Sequence, residues 1–340
     1  MAGIVSYGFY VPRNRIRIAD IAAVWGKHAP DISKSLNITE KAVAGVDEDS
    51  LTMAYESSSM ALRDAPISIN DIHVVLFGSE TPPYAVNPAS TILAQYLGVP
   101  HSYLAYDTQF ACKAATGALI SALSAVESGF TRYGLVCASD KANGRPHDAL
   151  EYTAASGSVA LVAGNDNLVL EVVDKESFSS DTPDFWRREG MRYPTHGGRF
   201  TGKPSYFHHI RSAATTVLKR TGMNPGDFAH AVFHMPNGRF PQEVASSLGF
   251  APEQLTHSLV VPFLGNSYTA SALMGLVSVL EHAREGEYIF FASYGSGAGS
   301  DAFIFKVTPE LAKRRRIFRS IVEQKHYIDY PTYLKFMDNI

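Results

Sequence analysis

The chain is poor in cysteine, in long apolar runs and in net charge, and each shortage removes a class of protein. Two cysteines, Cys112 and Cys137, among 340 residues allow one disulfide at most, and a chain of this length buries enough core to fold without one. Both are expected to be reduced thiols. The 12 histidines show no regular Cys/His ligand spacing, so no metal is expected. A formal net charge of −3 supplies no basic face for nucleic acid. No uninterrupted apolar stretch approaches the roughly 20 residues that cross a bilayer. The opening MAGIVSYGFYVPRNRIRIAD carries no apolar segment followed by a small-residue cleavage site. The expectation is a cytoplasmic globular enzyme with no nucleic-acid and no membrane partner.

What the sequence does contain is a duplication. A shift of 154 positions lays YGLVCASD (133–140) on EYIFFASY (287–294), Ala118 and Leu119 on Ala272 and Leu273, and Glu127 on Glu281. Each half then reads alike: an apolar strand (HVVLFGSE, HAVFHMPN), a helix of small residues (112–128, about 267–283), a second strand, and a further one (SGSVALVAG, GSDAFIFKV). Strands alternating with helices imply parallel pairing and right-handed crossovers. The segment CKAATGALISALSAVES is apolar or small almost all round, which predicts a buried helix. Two such helices between two sheets give an α/β, five-layered αβαβα sandwich, the thiolase fold. The halves are expected at 1–167 and 168–340, with a C-terminal tail from about 308.

Glu80 and Cys112 stand 32 residues apart, as do His234 and Asn266, so the shift matches Glu80 with His234 and Cys112 with Asn266. Halves packed about a pseudo-twofold axis would bring all four to one pocket. A cysteine at a helix N-terminus faces free N–H groups and the positive end of the helix dipole, which favour the thiolate; a free cysteine can equally be inert core. Cys137, within a strand, is read as inert. His234 follows a strand and precedes a Pro/Gly turn, which suits a general acid or base or a plain surface role. Asn266, after Gly265, can donate to an oxyanion or simply cap a helix. Glu80 ends an apolar strand, where desolvation raises a carboxyl toward a useful base; it could also anchor its loop. The glycine-rich YGSGAGSD (294–301) lacks dinucleotide and P-loop spacing, and HGGRFTGKPSYFHH (196–209) suits either a phosphate-handling loop or a solvated turn.

With these residues in hand, the chain resembles the archaeal-type 3-hydroxy-3-methylglutaryl-CoA synthases. The likeness runs from GIVSYGFYVPRNRI through GSETPPYAVNPAS, DTQFACKAAT, HGGRFTGKPSYF, FHMPNGRFP, GNSYTAS and SYGSGAGSD to YIDYPTYLKF. It implies Cys112 as the acylated nucleophile, Glu80 as the base, and His234 and Asn266 as the remaining catalytic pair. It implies Thr153, Thr201 and Ser296 as acyl-group contacts and Arg199 and Arg239 as coenzyme A contacts. Arg239 stands where lysine is expected, and Gln109 where Glu is expected before FACK. The implied reaction is ping-pong condensation of acetyl-CoA with acetoacetyl-CoA and water, with no cofactor beyond the coenzyme A thioesters themselves. Implied partners are a second copy in a homodimer, an acetoacetyl-CoA thiolase and a small OB-fold/zinc-ribbon protein, for which the basic, aromatic tail offers one docking surface; that tail could equally pack on its own domain.

Two rival functions remain open to the sequence. One is a β-ketoacyl synthase III-like condensing enzyme or secondary-metabolite acyltransferase, which gains its carbanion by losing CO₂ and needs no carboxylate base. The other is a non-catalytic scaffold subunit, which would not retain four polar residues at matched positions.

Overall fold

The computed structural model describes residues 2–340. Gly3–Tyr10 pairs antiparallel with Ser156–Gly164, which pairs antiparallel with Tyr133–Lys141; Ile72–Gly78 and the edge strand Leu104–Thr108 follow in parallel. The second group runs Leu170–Thr182, Gly297–Val307, Tyr288–Ala292 and His230–Phe233, its last pair parallel. The groups touch at Gly3↔Glu171 and Ile4↔Leu170, so the ladder is continuous through nine strands where two separate sheets were expected.

Side-chain alternation along the strands sorts the layers. On Tyr288–Ala292, Ile289 and Phe291 join a central core with Leu273, Leu276 and Val277, while Phe290 and Ala292 pack outward on Ile210, Ala213 and Val217 of helix His208–Thr221. On Tyr133–Lys141, Val136 and Ala138 enter the same central core beside Ala118 and Leu119, while Leu135 and Cys137 face Ala54 and Ala61 of helix Ser50–Arg63. Burying a side chain the size of Phe290 contributes about 1.5–3 kcal/mol, so a one-residue slip of register would forfeit many such contributions at once. The order is helix, sheet, helix pair, sheet, helix, which is the five-layered arrangement the duplication predicts.

The two central helices differ. Ser271–Leu280 is buried at every position. Ala114–Glu127 buries one face through Ala115, Ala118, Leu119, Ala122 and Leu123 but exposes Ser121 and Ser124. The expectation of burial all round is corrected there: both serines return their hydroxyls to the helix's own carbonyls, of Gly117 at 3.2 Å and Ile120 at 2.9 Å. Small residues satisfied in this way look the same in sequence whether buried or wet.

The tail packs on its own chain. Leu311, Phe318, Val322, Tyr330, Tyr333 and Met337 belong to the central core cluster. The arginine run is spent internally: Arg315 donates to the carbonyls of Leu280, Glu281 and Ala283, and Arg316 to those of Tyr7 and Met60. Its charge is therefore a poor docking signal. Among the described residues no helix is long and apolar enough to cross a membrane.

Candidate active site

Cys112 lies in the turn that enters helix Ala114–Glu127, after Ala111 at φ +43°. A left-handed alanine costs about 1–2 kcal/mol, and here it aims the sulfur at Glu80. The Sγ of Cys112 donates to Glu80 Oε1 at 2.8 Å. The helix-dipole expectation for Cys112 is corrected: the N–H groups of Lys113 and Ala114 bond the carbonyls of Phe110 and Ala111, and that of Ala115 bonds the hydroxyl of Thr269. Burial, and next the nearby Glu80 charge, push the Cys112 thiol well up rather than down.

Glu80 stands two residues past the strand Ile72–Gly78, where Gly78 comes so close to the helix that an added Cβ would sit 2.5 Å from the nitrogen of Ala115. The buried Asp140 fixes the turn. Its Oδ1 accepts from Ser79 Oγ, the Glu80 and Thr81 N–H groups and Thr81 Oγ1, while its Oδ2 accepts from the N–H of Thr269 in the other half. Desolvation, and then Asp140, raise Glu80 from 4.5 to about 8. Glu80 and Cys112 therefore share a high-pKa pair that holds its protons at neutral pH.

His234 follows the strand His230–Phe233 and is buried, its carbonyl accepting from the hydroxyl of Tyr206 at 2.6 Å. Burial lowers its imidazole to about 3, so it is neutral. Among the described residues nothing bonds its Nδ1. Asn266 follows Gly265 at φ +75°, where an added Cβ would collide with Ala155 and Lys41. Its Oδ1 accepts from the N–H of Tyr268 at 3.0 Å, which leaves the amide nitrogen as the donor. Capping and oxyanion donation are thus compatible in one side chain.

A cavity of about 340 Å³ is lined by Cys112, His234 and Asn266 together with Thr153, Thr201 and Ser296. Seven of the nine residues singled out in sequence are thereby brought together, counting Glu80 through its bond to Cys112. The two arginines are not. Arg199 is exposed beside the cavity-lining Gly198, and Arg239 is turned away, its guanidinium on the carbonyl of Lys34 at 2.6 Å.

Residues absent from the sequence reading complete the walls. Asp184, in TPDFWRR, accepts from Tyr294 Oη at 2.7 Å and the Gly297 N–H at 2.8 Å and so holds the glycine loop. Tyr294 and Asp140 occupy matching positions under the shift of 154, a sequence signal for both. Phe185 and Tyr268 form an edge-on aromatic pair, and Tyr268 has φ +49°. Next to the nucleophile, the buried Lys113 pairs with the buried Asp301 of the second half at 3.0 Å. Removing one partner of such a pair costs about 3–5 kcal/mol. Lys113→Met is expected to lose that much in a urea titration; a loss below about 1 kcal/mol would show that the pair does not tie the halves.

The domain profile described as 3-oxoacyl-[acyl-carrier-protein (ACP)] synthase III C terminal matches residues 218–307. Among solved structures, MvaS in complex with 3-hydroxy-3-methylglutaryl coenzyme A superposes at TM-score 0.89 with 23% identity, covering 99% of this chain and 91% of that one. An HMG-CoA synthase complexed with CoA does so at 0.89 and 24%, covering 98% and 89%. These share the thiolase-type fold. The hydroxymethylglutaryl-CoA synthase of Methanopyrus kandleri is 48% identical over 98% of this chain and 96% of its own length. That of Archaeoglobus fulgidus is 47% identical over 98% of each chain. At such identity over nearly its whole length, this chain belongs to the hydroxymethylglutaryl-CoA synthase family.

Proposed function

We propose that this enzyme condenses acetyl-CoA with acetoacetyl-CoA and water to 3-hydroxy-3-methylglutaryl-CoA and free coenzyme A, through an acyl-enzyme on Cys112. The observation that carries the reading is the Cys112–Glu80 hydrogen bond beside His234 and Asn266. Cys112 sulfur attacks the acetyl carbonyl as its proton passes to the departing coenzyme A thiolate. Glu80 then removes a proton from the bound methyl group, and the carbanion forms a carbon–carbon bond to the acceptor's ketone. The neutral imidazole of His234 and the Asn266 amide hydrogen-bond the oxygen as it gains charge. A proton drawn through His234 completes the hydroxyl, and water cleaves the thioester to Cys112. Thr153, Thr201 and Ser296 shape the acyl end, while Arg199 and Arg239 are assigned to the coenzyme A outside the cavity.

The β-ketoacyl synthase III alternative has the profile match at 218–307 in its favour. A decarboxylative enzyme has no use for a carboxylate bonded to its nucleophile, and Glu80 therefore weighs against it. Incubating the purified protein with both thioesters and identifying the product decides: 3-hydroxy-3-methylglutaryl-CoA is expected, and free coenzyme A without it would sink the proposal.

A homodimer is proposed from the edge strand Leu104–Thr108, whose Leu104 and Tyr106 are exposed on an unpaired sheet edge. Sedimentation should give twice the mass of one chain. Association with a thiolase and a small OB-fold/zinc-ribbon protein is proposed from the family resemblance alone, and mixing followed by gel filtration tests it. Cytoplasmic residence is proposed, supported by the two free thiols and the thioester substrates, and cell fractionation checks it.

A further inference from the structure

We infer that the water that releases the product reaches Cys112 from a second cavity behind Glu80, and not through the cavity that admits the thioesters. The inference rests on the reaction proposed above and adds a route and a site to it. The second cavity, of about 350 Å³, is lined by Glu80 but not by Cys112, while the first is lined by Cys112 but not by Glu80. The Sγ–Oε1 hydrogen bond crosses from one to the other. Phe185 and Tyr268 line both, their rings 6.2 Å apart between centroids, so the partition is one layer of aromatic side chains.

The two spaces differ in chemistry. Around the nucleophile stand Phe185, Tyr206, Phe240 and Tyr268, a lining for an acyl chain and pantetheine. Behind Glu80 stand Lys141, Asn143, Arg187 and Arg192, a lining that holds water. Arg187 Nη2 donates to the Glu80 carbonyl at 3.0 Å, and the chain's last turn closes the far side, where Asn143 and Arg192 both donate to the carbonyl of Met337.

Timing makes the rear route necessary. When hydrolysis is due, the condensed product is still joined to Cys112 and its pantetheine arm fills the first cavity, with the rest of the coenzyme A outside it. Glu80 meanwhile borders the rear space, its Oε1 keeping the bond to Cys112. The buried Tyr268 hydroxyl has no hydrogen-bond partner among the described residues, and Tyr268 borders both cavities, sharing the rear one with Glu80. Once Glu80 has released the methyl proton to solvent through the rear cavity, a water held between it and the Tyr268 hydroxyl attacks the thioester carbonyl carbon while Glu80 takes its proton. The carbon–sulfur bond breaks, the Cys112 sulfur recovers a proton from Glu80, and the released acid gives its own proton to solvent.

The test narrows the rear cavity at its exposed rim. Pro83→Trp and, from the opposite wall, Asp338→Trp fill space without touching a catalytic group, and Pro83→Ala is the control. In rapid-quench mass analysis both tryptophan variants should acetylate Cys112 at the wild-type rate, yet decay of the condensed adduct should slow about tenfold or more, so that it accumulates. Decay at the wild-type rate in both variants, or equal slowing of acetylation and decay, would overturn the inference. A wild-type protein that never forms the adduct would instead sink the proposed reaction.

Discussion

Replacing Glu80 with glutamine is expected to stop condensation while leaving acetylation of Cys112 in place. Loss of a positioned general base costs roughly 10²–10⁴-fold, and among the described residues Glu80 is the carboxylate bonded to the nucleophile. The amide keeps shape and hydrogen bonding but cannot take the methyl proton. The pH dependence gives a second readout. With the base at about 8, the wild-type condensation rate should climb close to tenfold per pH unit below that value and level off above it. Stability should move the other way. Glu80 is raised from 4.5 to about 8 in the folded protein, so between those values the native state holds the proton that the unfolded chain has released, and stability falls as pH rises. Glutamine has no proton to lose. Glu80→Gln should therefore raise Tm relative to wild type more at pH 9 than at pH 5; an equal shift at both would mean the carboxyl is not held protonated by its site.

Cys112→Ser should be the most damaging single change, with turnover down at least about 10⁴-fold, as for nucleophile removal in other acyl-transfer enzymes. The substitution removes one polarisable atom and keeps the hydrogen bond to Glu80. What it loses is acidity and nucleophilicity: burial already pushes the thiol well up, and a hydroxyl lies far higher. Residual activity within about tenfold of wild type would remove Cys112 from the covalent role. Cys137→Ser serves as the internal control. Cys137 is buried beneath the outer helix, 2.9 Å from Ser58 Oγ and away from both cavities, and its loss should leave kcat unchanged.

Much of this geometry is legible in the sequence alone. The shift of 154 pairs Cys112 with Asn266, and the same shift is spanned by the bond from Ala115 N–H to Thr269 Oγ1 that closes one half on the other. The layers follow from side-chain alternation, whereas strand–helix succession implies parallel pairing and five of the eight pairings in the nine-stranded ladder are antiparallel. Two kinds of information were out of reach. Hydrogen bonds that consume the first N–H groups of helix Ala114–Glu127 are set by Ala111 and Thr269, and no local pattern around Cys112 reports them. Likewise Asp184 and Tyr268 act through partners more than a hundred residues away, Asp184 on Tyr294 and Tyr268 beside Glu80, so neither belongs to a local motif. The placement of Arg239 outside the cavity is hidden from the sequence for a related reason, because a surface guanidinium goes to whichever carbonyl the fold presents, here that of Lys34.

The joint action of a sulfur and a carboxylate from one half with an imidazole and an amide from the other is tested most directly by mass mapping of the quenched enzyme. Wild type and Glu80→Gln are each given acetyl-CoA, then acetoacetyl-CoA. The account predicts one acetyl group on the Cys112 peptide in both proteins, replaced by the larger condensed adduct only in the wild type. An acetyl group on another residue, or an equal yield of adduct in the glutamine variant, would contradict it.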